Sequence, residues 1–176
     1  MTGSSDKASL QQEPNQKPVE VVIGLGANLG DPKAMLEAVL EEMKNIPQTE
    51  LVCASPFYRT APVESSGPDY VNAVAVCSTR LAPEAFLDAL QCLENIHGRV
   101  RPAGVVNAPR TLDLDVLLWG GAVIQTPRLT VPHPRMHLRA FVLRPLLDVL
   151  PACVIPGLGR ADAWLAKITD QRIDPL

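Results

Sequence analysis

The chain has 176 residues, 47% of them hydrophobic and 20% charged, with a formal net charge of −3. That length suits one compact domain with a real core, and the acidic balance argues against a dedicated nucleic-acid binder or a protein that clings to anionic membranes. No run reaches membrane-spanning length, and residues 1–18 are polar without the apolar stretch of a signal peptide, so the expectation is a flexible tail (1–18) on a single cytoplasmic domain (19–176).

Val19–Leu25 is β-rich and runs into Gly24-Leu25-Gly26-Ala27-Asn28-Leu29-Gly30, which reads as a tight turn. Its glycine spacing does not match the dinucleotide-binding G-x-G-x-x-G, and no parallel β-α-β series follows it. Asp31-Pro32 opens a helix to about Asn45, with Met35, Leu36, Val39, Leu40 and Met43 on one face. Glu50–Thr60 reads as a second strand and Tyr70–Thr79 as a third, separated by the Pro/Gly/Ser-rich loop Ala61–Pro68. A helix with proline in its first turn starts near Pro83 and ends at Gly98. Arg99–Pro109 is a loop, Thr111–Trp119 a strand, Ala122–Gln125 a short strand, and a last helix lies around Ala161–Ile168. The order β-α-β-β-α-β predicts an α+β, ferredoxin-like core, an antiparallel sheet flanked by helices.

The four cysteines show no metal-type spacing and read as reduced, mostly buried residues. The cations are unevenly spread. From Arg80 to Arg144 there are eight arginines and no lysine, against the five acids Glu84, Asp88, Glu94, Asp113 and Asp115. Arginine suits planar, bidentate recognition of phosphate or carboxylate.

In a strand, alternate residues share a face, so Asp113 and Asp115 point one way while Leu112, Leu114, Val116 and Leu118 point into the core. Two carboxylates about 7 Å apart repel by roughly 2 kcal/mol at an effective dielectric of 20. Such a pair reads either as a solvated edge strand or as a seat for a hard divalent cation. The arginines just upstream, Arg99, Arg101 and Arg110, favour the seat, because acids that hold a metal and arginines that hold phosphate oxygens together make a Mg²⁺–nucleotide site. Gln91 and Glu94 share the polar side of the second helix, which reads first as an ordinary solvent-facing side. His133 lies in a Pro-framed loop, where histidine is usually structural. Phe141 is either core or, with Tyr70 and Asn72, part of a sandwich for a flat heteroaromatic ring.

With these residues in hand the chain resembles the 6-hydroxymethyl-7,8-dihydropterin pyrophosphokinase family of folate biosynthesis. The resemblance runs from about Val21 to Pro151 and rests on G-L-G-A-N-L-G-D (24–31), S-P-F-Y-R-T-A-P (55–62), D-Y-V-N-A-V (69–74), Q-x-x-E (91–94), G-R-V-R (98–101), P-R-T-L-D-L-D (109–115), R-L-T-V-P-H-P-R-M (128–136) and R-A-F-V-L (139–143). It implies transfer of the pyrophosphoryl group of ATP to the pterin hydroxymethyl oxygen, with attack on the β-phosphorus and release of AMP. By the same resemblance, Asp113 and Asp115 hold two Mg²⁺ ions, and Arg99 and Arg110 contact phosphates with help from Arg101, His133 and Arg139. Gln91 and Glu94 take the ribose side, with Leu87, Val116 and Thr130 near the adenine. Tyr70 and Phe141 stack on the pterin, while Asn72, Thr60, Ala61, Val63 and Asp113 meet its edge.

One departure stands out. Where the family often carries Arg-Trp-Gly-Pro-Arg, this chain has Val105-Val106-Asn107-Ala108-Pro109-Arg110, without the aromatic, which puts loop closure and product release in question. The partners implied are ATP and a reduced pterin alcohol, acted on by a monomer, with no nucleic acid and no membrane. Two other readings remain: an RNA-binding module on the same scaffold, opposed by acids where stacking rings would sit, and a γ-phosphoryl kinase, which would release ADP.

Overall fold

A computed structural model describes residues 17–61, 68–97 and 112–176. In chain order the main elements are β1 (Val19–Ala27), α1 (Pro32–Met43), β2 (Thr49–Ala54), β3 (Tyr58–Thr60), β4 (Tyr70–Thr79), α2 (Pro83–Ile96) and β5 (Asp113–Trp119). There follow β6 (Ile124–Gln125), β7 (Thr130–Val131), a 3₁₀ turn (Met136–Leu138), α3 (Ala140–Val149), β8 (Val154–Ile155), β9 (Gly159–Arg160), α4 (Ala161–Leu165) and β10 (Ile173–Pro175).

The main sheet is antiparallel, with β1 paired to β4 on one side and to β5 on the other. On its far side β4 receives β2 at one end and β3 at the other, and β10 adds to β3. With β2 and β3 taken as halves of one strand, the order across the sheet is β2/β3, β4, β1, β5, the ferredoxin-like arrangement.

The strand expected over Glu50–Thr60 is therefore two strands, and Pro56 is the reason, since proline cannot donate to a ladder. Ser55 fills the gap: its N–H donates to the Val74 carbonyl at 2.8 Å and its hydroxyl accepts the Val74 N–H at 2.9 Å. The expected glycine turn is also corrected. Gly24 and Gly26 lie inside β1, and only Gly30, at φ +65°, takes the left-handed conformation that favours glycine.

α1 starts as its sequence indicates, with the Asp31 carboxylate accepting the Ala34 N–H at 3.1 Å and Pro32 in the first turn. α1 and α2 cover one face of the sheet, packing Leu36, Val39, Met43, Phe86 and Leu90 against Val21, Ile23, Leu25 and Val116. Phe86 meets Trp119 edge-on at 5.7 Å, and burying one such side chain is worth about 1.5–3 kcal/mol. The other face carries α3, whose Val142, Leu143 and Leu146 pack on Val22, Val74, Leu117 and Leu118. At its far end Asp148 accepts the Tyr58 hydroxyl and pairs with Arg144 at 3.3 Å, so burial and the carboxylate hold the Tyr58 phenol above its ordinary pKa.

A register shift between β1 and β5 falls at Val22/Ile23, leaving Leu117 as the extra residue. Leu118 consequently joins Leu117 on the α3 face, and not Leu114 and Val116 as strict alternation predicts, while Trp119 returns to the α1/α2 face. Among the cysteines only Cys77 is fully buried, and burial pushes its thiol up to about 12; Cys53 and Cys92 are exposed.

Candidate functional site

A cavity of about 540 Å³ opens beside α3 on its face of the sheet. Its floor is β1 at Gly24 and Gly26, which pair with Asp115 and Asp113 of β5. The alternation that buries Val21, Ile23 and Leu25 on the opposite face places the two glycines on this one. Without side chains there, a trough runs between β4 and the acids. Gly26 keeps this space open, because a Cβ on it would sit 2.9 Å from the Asn72 Oδ1 atom and the amide would have to move.

Asn72 is itself buried and donates through Nδ2 to the Thr60 hydroxyl at 2.7 Å, across the β3–β4 pair. That bond fixes the amide with its oxygen turned toward Gly26 and the cavity. Tyr70 lies two residues before Asn72 on the same face, and Thr60 and Ala61 continue the wall. The opposite wall comes from the start of α3, where the Arg139 guanidinium carbon lies 5.4 Å from the centroid of the Phe141 ring. An aromatic plate on each side and a buried amide between them suit a flat, hydrogen-bonding heterocycle.

Asp113 is half-buried and Asp115 exposed, and both line this cavity. Among the described residues no group of three or more His, Cys, Asp or Glu side chains comes together as a metal cage. Two carboxylates on one strand face fit Mg²⁺ nonetheless, since that ion typically takes one or two carboxylates and fills its shell with water and substrate oxygens.

His133 sits close enough to Asp115, Arg139 and Arg135 to feel their charges. Burial holds its imidazole below the ordinary value; Arg139 and Arg135 push the same way, and Asp115 opposes them. The Arg135 N–H donates to His133 Nδ1 at 3.1 Å, so the neutral ring carries its proton on Nε2.

The predicted site residues thus fall into groups. Thr60, Ala61, Tyr70, Asn72, Asp113, Asp115, Arg139 and Phe141 line one cavity. Leu87 and Val116 lie in the core between β5 and α2. Gln91 of α2 accepts from Arg128 at 3.2 Å, and Arg128 also pairs with Asp88, which bridges α2 to the segment leading into Thr130 on β7. Glu94 is not on a solvent-facing side: it is 4% exposed, and its carboxylate accepts the Leu114 N–H at 2.9 Å. Val63, Arg99, Arg101 and Arg110 lie outside the described residues.

Sequence reasoning missed several cavity residues. Gly24 and Gly26 carried a signal, since glycine inside a strand marks close approach of another group. Arg135 stood within a motif and received no role. Gln171, from the polar stretch past the last helix, carried no signal at all.

A family model described as 7,8-dihydro-6-hydroxymethylpterin-pyrophosphokinase (HPPK) matches residues 22–151. The chain is 45% identical over 157 residues to a 2-amino-4-hydroxy-6-hydroxymethyldihydropteridine pyrophosphokinase of Pseudomonas aeruginosa, covering 89% of this chain and 96% of that one. It is likewise 45% identical over 156 residues to the enzyme of that description from Haemophilus influenzae, covering 88% and 96%. Among solved structures it is similar in fold to a Plasmodium falciparum HPPK-DHPS chain, with TM-score 0.71 and 14% identity over 90% of this chain. The chain spans less than half of such solved chains, 47% of that one and 43% of another HPPK-DHPS determined with substrates.

Proposed function

Because the chain belongs to the 7,8-dihydro-6-hydroxymethylpterin-pyrophosphokinase family, we propose that it transfers the pyrophosphoryl group of ATP to 6-hydroxymethyl-7,8-dihydropterin in the cavity beside α3. The observation that carries this reading is the convergence of Tyr70, Asn72, Phe141, Asp113 and Asp115 on a single cavity. In the reaction the hydroxymethyl oxygen bonds to the β-phosphorus, the bond from that phosphorus to the oxygen bridging it to the α-phosphate breaks, AMP leaves, and the hydroxyl proton passes to solvent.

The chain's own residues divide this work. Tyr70 and Phe141 stack on the two faces of the pterin, and Asn72 presents its amide to the ring edge, backed by Thr60, Ala61 and Val63. Asp113 and Asp115 would hold Mg²⁺, and Asp113 would also meet the edge of the pterin. When bound, two such ions neutralise phosphate oxygens and make the β-phosphorus more electrophilic. Arg139, Arg99, Arg101 and Arg110 neutralise the remaining phosphate oxygens, and the neutral His133 offers a hydrogen bond from Nε2. Gln91 takes the ribose side, with the buried Glu94 behind it tying α2 to β5, while Leu87, Val116 and Thr130 flank the adenine. No side chain need act as a strong base, because transfer of this kind relies on positioning and charge stabilisation.

The same reading makes the protein a cytoplasmic monomer of one domain over residues 19–176. The single domain is supported by β10, which ties residues 173–175 back to β3; among the described residues no helix is long and apolar enough to cross a membrane. The deciding experiment incubates the protein with ATP, Mg²⁺ and the reduced pterin alcohol. AMP and the pterin diphosphate are expected; ADP would mean γ-transfer, and neither nucleotide would overturn the assignment.

A further inference from the structure

We infer that Gln171 is a positioning residue of the pterin subsite, holding the backbone that aims Phe141 from a point far along the chain. The inference rests on the reading that Phe141 stacks on the pterin.

The first N–H groups of a helix need acceptors from outside it. At the start of α3 the flanking residue is Arg139, whose side chain supplies none. Gln171 supplies it instead: its Oε1 accepts the Ala140 N–H at 2.9 Å. The same amide donates through Nε2 to the Leu138 carbonyl at 2.9 Å. One side chain therefore grips a peptide group on each side of Arg139, where the 3₁₀ turn hands over to α3 and where the chain turns Phe141 into the cavity. Gln171 lines that cavity itself.

Two residues further on, Ile173 pairs with Thr60, the residue whose hydroxyl receives the Asn72 amide. The segment from Gln171 to Ile173 thus touches both walls of the subsite, the helix wall directly and the sheet wall through Thr60. It lies beyond residue 151, where the family match ends. A flat ligand between two plates is sensitive to their separation and tilt. A ring borne at the second position of a helix cannot correct a shift of its backbone, whereas the longer side chain of Arg139 can re-aim.

Gln171→Ala removes both bonds. The dissociation constant for the reduced pterin alcohol, measured by calorimetry, is expected to rise about tenfold, because part of the stacking energy must then go into returning the Phe141 ring to its place. That for a non-hydrolysable ATP analogue with Mg²⁺ should change by less than about twofold, because its remaining contacts are untouched. The double variant Gln171→Ala/Phe141→Ala should bind pterin no more weakly than Phe141→Ala alone, since the first residue acts through the second. Tyr58→Phe, which loosens the far end of α3, should lower the melting temperature and leave pterin affinity at the wild-type value. Should Gln171→Ala not fold, Gln171→Met keeps the bulk without the bonds and gives the same comparison.

A Gln171 variant that melts earlier but binds pterin normally would make the residue a mere tether and overturn the inference; so would additive losses in the double variant, or Tyr58→Phe weakening pterin as much. If Phe141→Ala itself leaves pterin affinity unchanged, the stacking assignment fails and the inference falls with it.

Discussion

The carboxylate of Glu94 accepts the backbone N–H of Leu114 at 2.9 Å, which ties α2 to β5 at the residue between Asp113 and Asp115. Both partners are buried, at 4% exposure each. Glu94→Ala should therefore cost about 1–3 kcal/mol by leaving a buried donor unmet. Glu94→Gln keeps an acceptor and should recover most of that. Urea unfolding of the two variants checks the difference, and equal stabilities would show that the bond contributes little.

Asp113→Ala and Asp115→Ala should each lower AMP formation by about 100-fold or more with circular dichroism unchanged, because each removes a ligand that places charge on the phosphates. Chelation of Mg²⁺ from the wild type should stop turnover, and excess Mg²⁺ should restore it. Near-normal rates in either variant would remove the acids from the metal assignment.

Gly26→Ala places a methyl group 2.9 Å from Asn72 Oδ1, so the amide must swing away from the Thr60 hydroxyl. Overpacking of this kind costs about 1–3 kcal/mol. Pterin affinity should drop with it, and ATP affinity should not. Gly24→Ala is the comparison: its methyl meets only the Leu117 side chain at 3.4 Å and should be tolerated better. Calorimetry with each ligand separates the two variants.

His133 gives a pH dependence of definite sign. Its folded value lies below the ordinary 6.5, chiefly because of burial. The stability it contributes is complete above 6.5 and is lost as the pH falls toward and through the folded value, because the unfolded chain takes up the proton first. Measured on metal-free protein, the wild type should lose stability relative to His133→Asn on acidification from pH 7.5. The slope should not exceed about 1.4 kcal/mol per pH unit. A difference that stays flat down to pH 5 would contradict the buried, neutral imidazole.

The ferredoxin-like core was legible because its signals are local. Asp31-Pro32 and Pro83 mark helix starts, and Val71, Ala73 and Ala75 alternate as a strand should. The family motifs carried Tyr70, Asn72, Asp113 and Phe141 to one site. What stayed hidden depends on contacts between distant residues. The burial of Glu94 follows from its partner on β5, not from its place on a helical wheel. The split between β2 and β3 needs Ser55 to stand in for a missing ladder bond at Val74. Gln171 acts 31 residues from the backbone it accepts from, in a stretch with no pattern of its own.

The extra residue in β5 separates two jobs that one strand would otherwise share. Upstream of Leu117 the strand's register decides which way the acids look; downstream it decides which helices the leucines and Trp119 grip. A strictly alternating β5 of the same sequence would keep Asp113 and Asp115 in place while rotating Trp119 out from under Phe86 and toward α3. The acidic edge could thus tolerate drift in the packing beyond it, and the packing could change partners without turning the carboxylates out of the cavity.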